Sequence, residues 1–299
     1  MSAARSDARP RVVAAGGGHG LAATIRAARH YAGRLTALVA TADDGGSTGR
    51  LRSAIDMPAP GDLRRCIEAM AGEPGGPLAR ALDHRFAGSD VEGHALGNLL
   101  LVGLYDATGD FVAAVDELSR LVGIDPATGR VLPATMDPVV LSAEAGGVQR
   151  VIGQVAISQV AGIQRVEVEP PDAAVPADAV TALEDADQIV LGPGSLYTSV
   201  LAAVVVDGVR DALHRAAGRR VFVCNVQGEA GENRGYDVAA HLDALRRHDI
   251  EVDVVLAQRG TLPLGDVRGV EVVEAELVGP GCRAHDPALL GPALAQLVC

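Results

Sequence analysis

Residues 37–52 read ALVATADDGGSTGRLR, and this stretch carries the strongest indication of the fold. Its apolar start belongs to the run Leu35–Thr41, which is short, partly β-branched and typical of a buried parallel strand. The run ends at Asp43 and Asp44, and Gly45–Gly49 follows at once. Consecutive glycines let backbone amides converge on an anion, so this loop is suited to a phosphorylated ligand. A tight turn with a solvated acidic tip is the alternative interpretation.

A glycine turn also follows the first predicted strand. The apolar run Arg11–Ala15 leads directly into Gly16–Gly20, and Leu21–Tyr31 then shows helical spacing. A strand, a glycine turn and a helix in this order point a helix N-terminus at a phosphate. The spacing is GGGxG and not GxGxxG, so the match to the dinucleotide fingerprint is weak, but the acidic pair after the next strand strengthens it. Close packing of helix on strand would also explain the triple glycine.

Two further segments of this kind follow predicted strands in the second half of the chain. Gly192–Ser199 is glycine- and hydroxyl-rich, and Asn225–Glu232 is polar. In a parallel sheet the carboxyl ends of the strands share one edge, so we expect these segments to line one cleft with Gly16–Gly20 and Asp43–Gly49. The sequence therefore predicts an α/β, Rossmann-like fold: a mostly parallel sheet with helices on both faces.

Residues 1–10 are charged and lack an apolar core, so we expect a disordered leader and no secretory signal. Residues 11–299 are predicted to form a single Rossmann-like domain. Between about 130 and 170 the pattern changes to VLPAT, VVLSAEA, VQRVIGQVAIS and IQRVEVEP, with a hairpin turn at Ala145–Gly147. We predict an antiparallel β insertion or extension there, and its role as a cover for the cleft or a subunit contact stays open.

The composition is that of a soluble globular protein, with 48% hydrophobic and 21% charged residues. No apolar run approaches the ~18–20 residues of a membrane helix. The net charge of −12 argues against a nucleic-acid partner. The four cysteines are far apart and form no CxxC pair, which argues against a zinc site or disulfide framework and favours a reducing cytoplasm. The chain contains no lysine, so a Walker-type lysine and a Schiff base are excluded.

Several polar residues lie near predicted helix starts. Asp62 precedes a predicted helix, where an aspartate is more often a cap than a catalyst, and Arg64 adds positive charge there. His94 and Asn98 are four residues apart, so we expect them on one face of the following apolar helix. A histidine in such a place is more often structural. Arg283 precedes the last helix and is either a surface charge or a ligand clamp.

Seven segments carry a resemblance to a known family. They are GGGHG (16–20), TADDGGSTGRLR (41–52), PGDLRRC (60–66), HALGNLLL (94–101), LGPGSLYTSV (191–200), CNV (224–226) followed by GE, and RAHDP (283–287). Together, and in this order, they resemble the gluconeogenesis factor family, the YvcK-like relatives of 2-phospho-L-lactate transferase. The resemblance implies a cytoplasmic protein that binds UDP-sugars such as UDP-N-acetylglucosamine and links carbon supply to cell-wall synthesis and cell shape. No established catalytic reaction comes with it.

The resemblance also implies roles at the matching positions. Glycines of the first turn would cradle phosphate, hydroxyls of the third turn would donate to it, and the acidic pair would face sugar, ribose or a metal-bridged diphosphate. The predicted ligand-binding residues are Gly17, Gly18, His19, Gly20, Asp43, Asp44, Gly45, Gly46, Ser47, Asp62, Arg64, His94, Asn98, Gly192, Gly194, Ser195, Tyr197, Thr198, Asn225, Glu232 and Arg283. Asp43 and Asp44 are the candidate Mg²⁺ ligands, and no residue is predicted to be catalytic.

The leading hypothesis is a UDP-sugar-binding regulatory protein that acts through an unidentified protein partner, for which an enzyme of cell-wall precursor synthesis is a candidate. The competing hypothesis is a Mg²⁺-dependent transferase similar to 2-phospho-L-lactate transferase, because carboxylates and a diphosphate suit Mg²⁺. An NAD(P) oxidoreductase is the weakest hypothesis, because it depends only on the strand–glycine–helix unit. We expect no nucleic acid and no membrane insertion, and self-association into a homo-oligomer stays open.

Overall fold

The computed structural model describes residues 9–73, 75–146, 149–228 and 231–298. Its strands, numbered along the chain, are β1 (Arg11–Gly16), β2 (Arg34–Val39), β3 (Gly129–Pro133), β4 (Val140–Ala145), β5 (Gln149–Ile152), β6 (Ile163–Glu169), β7 (Gln188–Leu191), β8 (Arg219–Val223), β9 (Val254–Gln258) and β10 (Glu271–Ala275). Among the described residues, seven strands form a parallel sheet in the order β10-β9-β8-β7-β1-β2-β3. The other three form an antiparallel sheet in the order β5-β4-β6.

The helices surround these sheets. They are α1 (Gly18–Ala28), α2 (Gly46–Ala54), α3 (Gly61–Met70), α4 (Pro77–Asp83), α5 (Leu96–Thr108), α6 (Phe111–Leu121), α7 (Gln154–Ser158), α8 (Ala177–Glu184), α9 (Ala202–Val204), α10 (Asp207–Arg215), α11 (Val238–Arg247) and α12 (Pro287–Ala295). A π-helical segment, Leu196–Leu201, immediately precedes α9. Within the described ranges, no helix combines the length and apolar character that a membrane crossing requires.

Helices cover both faces of the large sheet. Alternate residues of a strand point to opposite faces. Val12 and Ala14 of β1 therefore pack in one core with α1, α3, α6 and α12, while Val13 and Ala15 pack in the other with the π-helical segment, α8, α10 and α11. Burial on both faces explains why these strands are apolar throughout. The predicted Rossmann-like α/β architecture is confirmed.

The β-rich segment differs in part from its prediction. The antiparallel sheet of β4, β5 and β6 is confirmed, but VLPAT does not belong to it, because β3 pairs in parallel with β2 at the edge of the large sheet. The predicted strand VQRVIGQVAIS is wrong beyond Ile152. Gly153 has a φ of 98°, which turns the chain away from β5, and α7 follows. Of the predicted hairpin turn, Gly147 lies outside the described residues, as do residues 1–8 of the predicted leader.

A crevice for a ligand follows from the strand order. β1 and β7 are neighbours, and the chain continues from β1 towards β3 but from β7 towards β10. Such a reversal leaves a crevice at the carboxyl ends of the two strands. The turn Gly16–Gly20 follows β1 and the turn Gly192–Ser199 follows β7, so the fold places two of the predicted segments on the two sides of this crevice.

Candidate functional site

The first and third glycine turns are in direct contact. A Cβ atom at Gly20 would lie 2.0 Å from the carbonyl oxygen of Pro193, and one at Gly17 would lie 3.5 Å from the Ser199 side chain. Thr24 Oγ1 also donates a 2.7 Å hydrogen bond to the carbonyl oxygen of Gly192. Only a residue without a side chain fits at position 20, so the close approach of the two turns depends on that glycine.

Asp62 connects the first turn to α3. Its Oδ2 would lie 2.6 Å from a Cβ atom at Gly17, its carboxylate accepts a hydrogen bond from the Gly18 amide, and Oδ1 accepts from Arg65 Nη1 at 2.7 Å. The predicted capping role is wrong: Pro60 is the N-cap of α3, and Asp62 lies in the first turn with its side chain directed at the glycine turn. Burial raises the pKa of Asp62 and the nearby Asp43 charge adds to this, while Arg65 opposes it.

The two neighbouring aspartates point to different parts of the molecule. Asp43 Oδ1 accepts a 2.9 Å hydrogen bond from the Gly45 amide, and its Oδ2 would lie 3.0 Å from a Cβ atom at Gly61, beside α3. Asp44 Oδ1 instead accepts a 2.9 Å hydrogen bond from the Val155 amide in the first turn of α7. Asp44 thus attaches the antiparallel unit, which consists of β4, β5, α7 and β6, to the loop after β2. Asp43 instead lies beside Asp62.

Ser47, His94 and Asn98 form a hydrogen-bonded group beside this loop. Asn98 Nδ2 donates to Ser47 Oγ at 3.1 Å, and Ser47 Oγ lies 3.0 Å from His94 Nδ1. The Ser47 hydroxyl has one proton and two acceptor lone pairs, so the direction of its bond with His94 follows the tautomer of the imidazole. Burial and the Arg50 charge lower the pKa of His94, which favours the neutral ring. The predicted shared helical face is wrong, because α5 begins at Leu96 and His94 precedes it.

Glu232 holds the start of the helical segment after β7. Its Oε1 accepts from the Tyr197 amide at 2.9 Å, its Oε2 accepts from the Thr198 amide at 3.2 Å, and the residue is 1% exposed. The Glu232 carboxylate therefore takes the position at these two amides that a phosphate takes at the N-terminus of a helix in other proteins. The Tyr197 hydroxyl reaches the Ile163 carbonyl oxygen of β6 at 3.0 Å, so Tyr197 contributes to the contact with the antiparallel unit.

The remaining predicted residues lie at the same edge, with one exception. Gly45 and Gly46 lead into α2, and Ser195 is the N-cap of the π-helical segment. Arg64 is the exception, because its Nη1 lies 2.5 Å from Asp83 Oδ1 and its stem packs against Gly97. The Arg64 charge is thus directed at α4.

A cavity of about 360 Å³ opens at the end of β8, next to the first turn and the third turn. Five predicted residues line it, namely His19, Gly20, Gly194, Asn225 and Arg283. Asn225 Oδ1 accepts a 3.1 Å hydrogen bond from the Gly194 amide, which connects the loops after β7 and β8. Parallel sheet topology predicted this convergence, and the structure brings these segments together as expected.

Sequence reasoning missed Arg26, Gln227 and His285, which line the same cavity. His285 lies within the recognised segment RAHDP, but only its arginine had been considered. Arg26 is in the last turn of α1, where its Nη2 lies 3.5 Å from Glu68 Oε1, and it resembles an ordinary surface residue in sequence. The cavity therefore combines guanidinium groups with neutral polar side chains.

Comparisons with known proteins identify the family. The family model described as 2-phospho-L-lactate transferase CofD matches residues 12–278. A protein of Mycobacterium tuberculosis (strain CDC 1551 / Oshkosh) named "Putative gluconeogenesis factor" is 44% identical over 308 aligned positions, which cover 95% of this chain and 89% of the relative. The "Gluconeogenesis factor" of Bacillus subtilis (strain 168) is 38% identical over 243 positions, which cover 80% of this chain and 75% of the relative.

A solved structure gives the same result. The crystal structure of a upf0052 family member from Bacillus halodurans superposes with a TM-score of 0.88 at 33% identity, and the match covers 96% of this chain and 98% of that one. The chain therefore belongs to the CofD family, in which its sequence relatives carry the name gluconeogenesis factor.

Proposed function

We propose that this protein is a cytoplasmic regulatory protein that binds a UDP-sugar, with UDP-N-acetylglucosamine as the first ligand to test. In this proposal the bound state is reported to a protein partner, for which an enzyme of cell-wall precursor synthesis is a candidate, and cell shape responds through that partner. The ligand class comes from the family resemblance. The observation that carries the proposal is the cavity at the end of β8.

The cavity offers what a nucleotide-sugar requires. Arg26 and Arg283 supply positive charge for phosphates, and Gly20 and Gly194 bring backbone close to the ligand. Asn225 and His285 each present a buried polar atom that has no hydrogen-bond partner within the described part of the chain. A pocket with a few convergent polar groups is the usual form of a small-molecule site.

Isothermal titration with UDP-N-acetylglucosamine tests the proposal. We expect saturable binding, and we expect Arg283→Ala to weaken it by roughly one to two decades, as loss of a charge-assisted hydrogen bond of about 1.5–3 kcal/mol predicts. Arg268→Ala is the matched control, because the Arg268 side chain is exposed and pairs with the nearby Asp266. Absence of heat at millimolar ligand, with folded protein, would contradict the proposal.

A specific observation favours a second candidate, a Mg²⁺-dependent transferase similar to 2-phospho-L-lactate transferase. Asp43 and Asp62 come together beside the first glycine turn, and their mutual repulsion contributes to the raised pKa of Asp62. A divalent cation would stabilise both ionised carboxylates. Within the described ranges no cluster of three or more His, Cys, Asp or Glu could hold a metal, so phosphate oxygens and water would supply the other ligands.

This candidate predicts that Mg²⁺ promotes turnover of a nucleotide-linked donor. Nucleotide release should require Mg²⁺ and should be abolished in Asp43→Asn and Asp62→Asn, whereas Asp44→Asn should retain most of it because Asp44 bonds to α7. Binding of a UDP-sugar without any turnover favours the regulatory protein. Metal-dependent turnover that survives both Asp43→Asn and Asp62→Asn would remove the two carboxylates from the reaction.

A further inference from the structure

Two buried polar atoms in the cavity at the end of β8 lack a hydrogen-bond partner among the described residues. They are Nδ2 of Asn225 and Nε2 of His285, and both side chains line the cavity. Leaving a buried donor or acceptor unpaired costs about 1–3 kcal/mol, so native proteins seldom retain such atoms without a function. The pair therefore requires an explanation.

The orientation of the Asn225 amide is set by its neighbour. Its Oδ1 accepts a 3.1 Å hydrogen bond from the Gly194 amide. A backbone N–H only donates, so the oxygen of the side chain must face Gly194 and the NH₂ group is the end left unpaired. Asn225 thus presents a hydrogen-bond donor.

His285 presents the opposite kind of group. It donates a hydrogen bond to the backbone of Cys224, and since Nε2 is unpaired the donor is Nδ1. Burial lowers the pKa of His285 to about 4, so the ring is neutral at pH 7. In a neutral imidazole with the proton on Nδ1, Nε2 is an acceptor. The Cys224 carbonyl belongs to the peptide bond before Asn225, so His285 is anchored on the residue next to Asn225.

We propose that Asn225 and His285 recognise an uncharged edge of the ligand that carries an acceptor next to a donor. This inference rests on the proposed UDP-sugar binding and specifies which part of the ligand the pair contacts. A phosphate at neutral pH offers acceptors and negative charge, so it would leave His285 Nε2 unpaired. Phosphates belong beside Arg26 and Arg283, which line the same cavity. The matching edge comes either from the uracil imide, with its N–H beside a carbonyl, or from neighbouring sugar hydroxyls.

Two variants each replace one unpaired group and keep the hydrogen bond that holds the side chain in place. Asn225→Asp retains an oxygen for the Gly194 amide and replaces the donor by an acceptor. His285→Asn retains a side-chain N–H for the Cys224 carbonyl and removes Nε2, without a change of charge. We expect each to weaken binding of UDP-N-acetylglucosamine about tenfold or more, because a ligand group is left unpaired. His214→Asn is the matched control, because His214 bonds to the Asp249 carbonyl in the loop before β9, at the opposite edge of the sheet.

Titrations with UDP and CDP identify the source of the edge. If both variants weaken UDP binding as much as UDP-N-acetylglucosamine binding, and wild type prefers UDP to CDP, the edge is that of the base. If the variants weaken only UDP-N-acetylglucosamine binding, the edge is that of the sugar. Circular dichroism and thermal unfolding confirm that each variant is folded. Unchanged affinities in both folded variants would contradict ligand recognition by Asn225 and His285 but not the binding of a UDP-sugar. Absence of nucleotide binding by wild type would contradict both proposals.

Discussion

The Glu232 carboxylate accepts a 2.9 Å hydrogen bond from the backbone amide of Tyr197, a residue 35 positions earlier in the chain. The second oxygen accepts from the Thr198 amide. The positive end of a helical segment stabilises an anion there, and the contact joins the loop after β8 to the segment after β7. Glu232 is predicted from the sequence to bind the ligand, but in the structure it fixes the position of one of these loops relative to the other.

This relationship predicts a large effect of Glu232→Ala on stability. Removing the carboxylate leaves two amides unpaired, and hydrogen bonds to charged groups contribute about 1.5–3 kcal/mol. We expect urea unfolding to report a loss of about 2–4 kcal/mol for Glu232→Ala and a smaller loss for Glu232→Gln, which keeps one acceptor. Asp286→Ala, which removes the exposed N-cap acceptor of α12, should cost only about 1 kcal/mol. Equal losses in Glu232→Ala and Asp286→Ala would contradict this role.

Asp44 should hold the antiparallel unit, and Asp43 should not. The Val155 amide lies in the first turn of α7, where a helix offers no backbone acceptor, and it donates its hydrogen bond to Asp44 instead. In Asp44→Ala we expect the Val155 amide to exchange with solvent at least about tenfold faster, measured by hydrogen-exchange NMR. Asp43→Ala is the control and should leave Val155 protected, because Asp43 bonds to Gly45. Slow exchange of Val155 in Asp44→Ala would contradict the assignment.

Gly20 and Gly18 should respond differently to alanine. At Gly20 the new Cβ atom would collide with the Pro193 carbonyl oxygen, so Gly20→Ala should cost about 3 kcal/mol or more and displace one turn from the other. Gly18 has a φ of 62°, and among the described residues nothing lies within 4 Å of the position that a Cβ atom would take. Gly18→Ala should therefore cost only about 1–2 kcal/mol of backbone strain. Thermal unfolding of both variants measures the difference, and a Gly18→Ala variant less stable than Gly20→Ala would contradict it.

The parallel sheet and its carboxyl edge followed from local patterns. Buried strands are apolar runs, and glycine turns after them mark the edge where ligands bind, so β1, β2, β7 and β8 and their loops were predictable. The segment VAIS was not, because its helix depends on Asp44, which is 111 positions away from Val155. A short apolar run does not distinguish strand from helix when its first turn is held by a distant side chain.

Sequence patterns predicted five of the residues that line the cavity but not the contacts that the predicted polar residues make. Asp62, Arg64 and Glu232 were identified as polar residues beside the right loops. Their contacts with Gly17, Asp83 and Tyr197 depend on tertiary packing that no spacing rule encodes. His285 was missed for the same reason. Its partner is Cys224, the residue after β8, and α11, β9 and β10 lie between the two in the sequence.

His248 should make the contact between α11 and the antiparallel unit sensitive to pH. The Val166 amide of β6 donates to His248 Nε2 at 2.8 Å, and His248 Nδ1 lies 2.7 Å from the Ala244 carbonyl oxygen. A protonated Nε2 could not accept from Val166. Burial lowers the pKa of His248, the Arg165 and Arg247 charges add to this, and the Ala244 hydrogen bond and Asp249 oppose it.

The sign of the pH dependence follows from this lowered pKa. The unfolded chain, with an ordinary histidine pKa of about 6.5, takes up the proton before the folded chain does. The contribution of His248 is therefore complete above pH 6.5 and is lost as the pH falls towards the lower pKa of the folded state. Glutamine can place an oxygen near the position of Nε2 without titrating, so His248→Gln should keep the Val166 contact at low pH.

Urea unfolding of wild type and His248→Gln at pH 7.5 and pH 5.5 measures this difference. We expect wild type to lose more free energy of unfolding between these pH values, by up to about 1.4 kcal/mol per pH unit for one proton. The other histidines are present in both proteins, so their titration cancels in the comparison. The absolute stability of His248→Gln is expected to be lower because the Ala244 bond is lost, and only the pH slope is diagnostic. An equal change of unfolding free energy with pH in both proteins would show that protonation of His248 does not contribute to it.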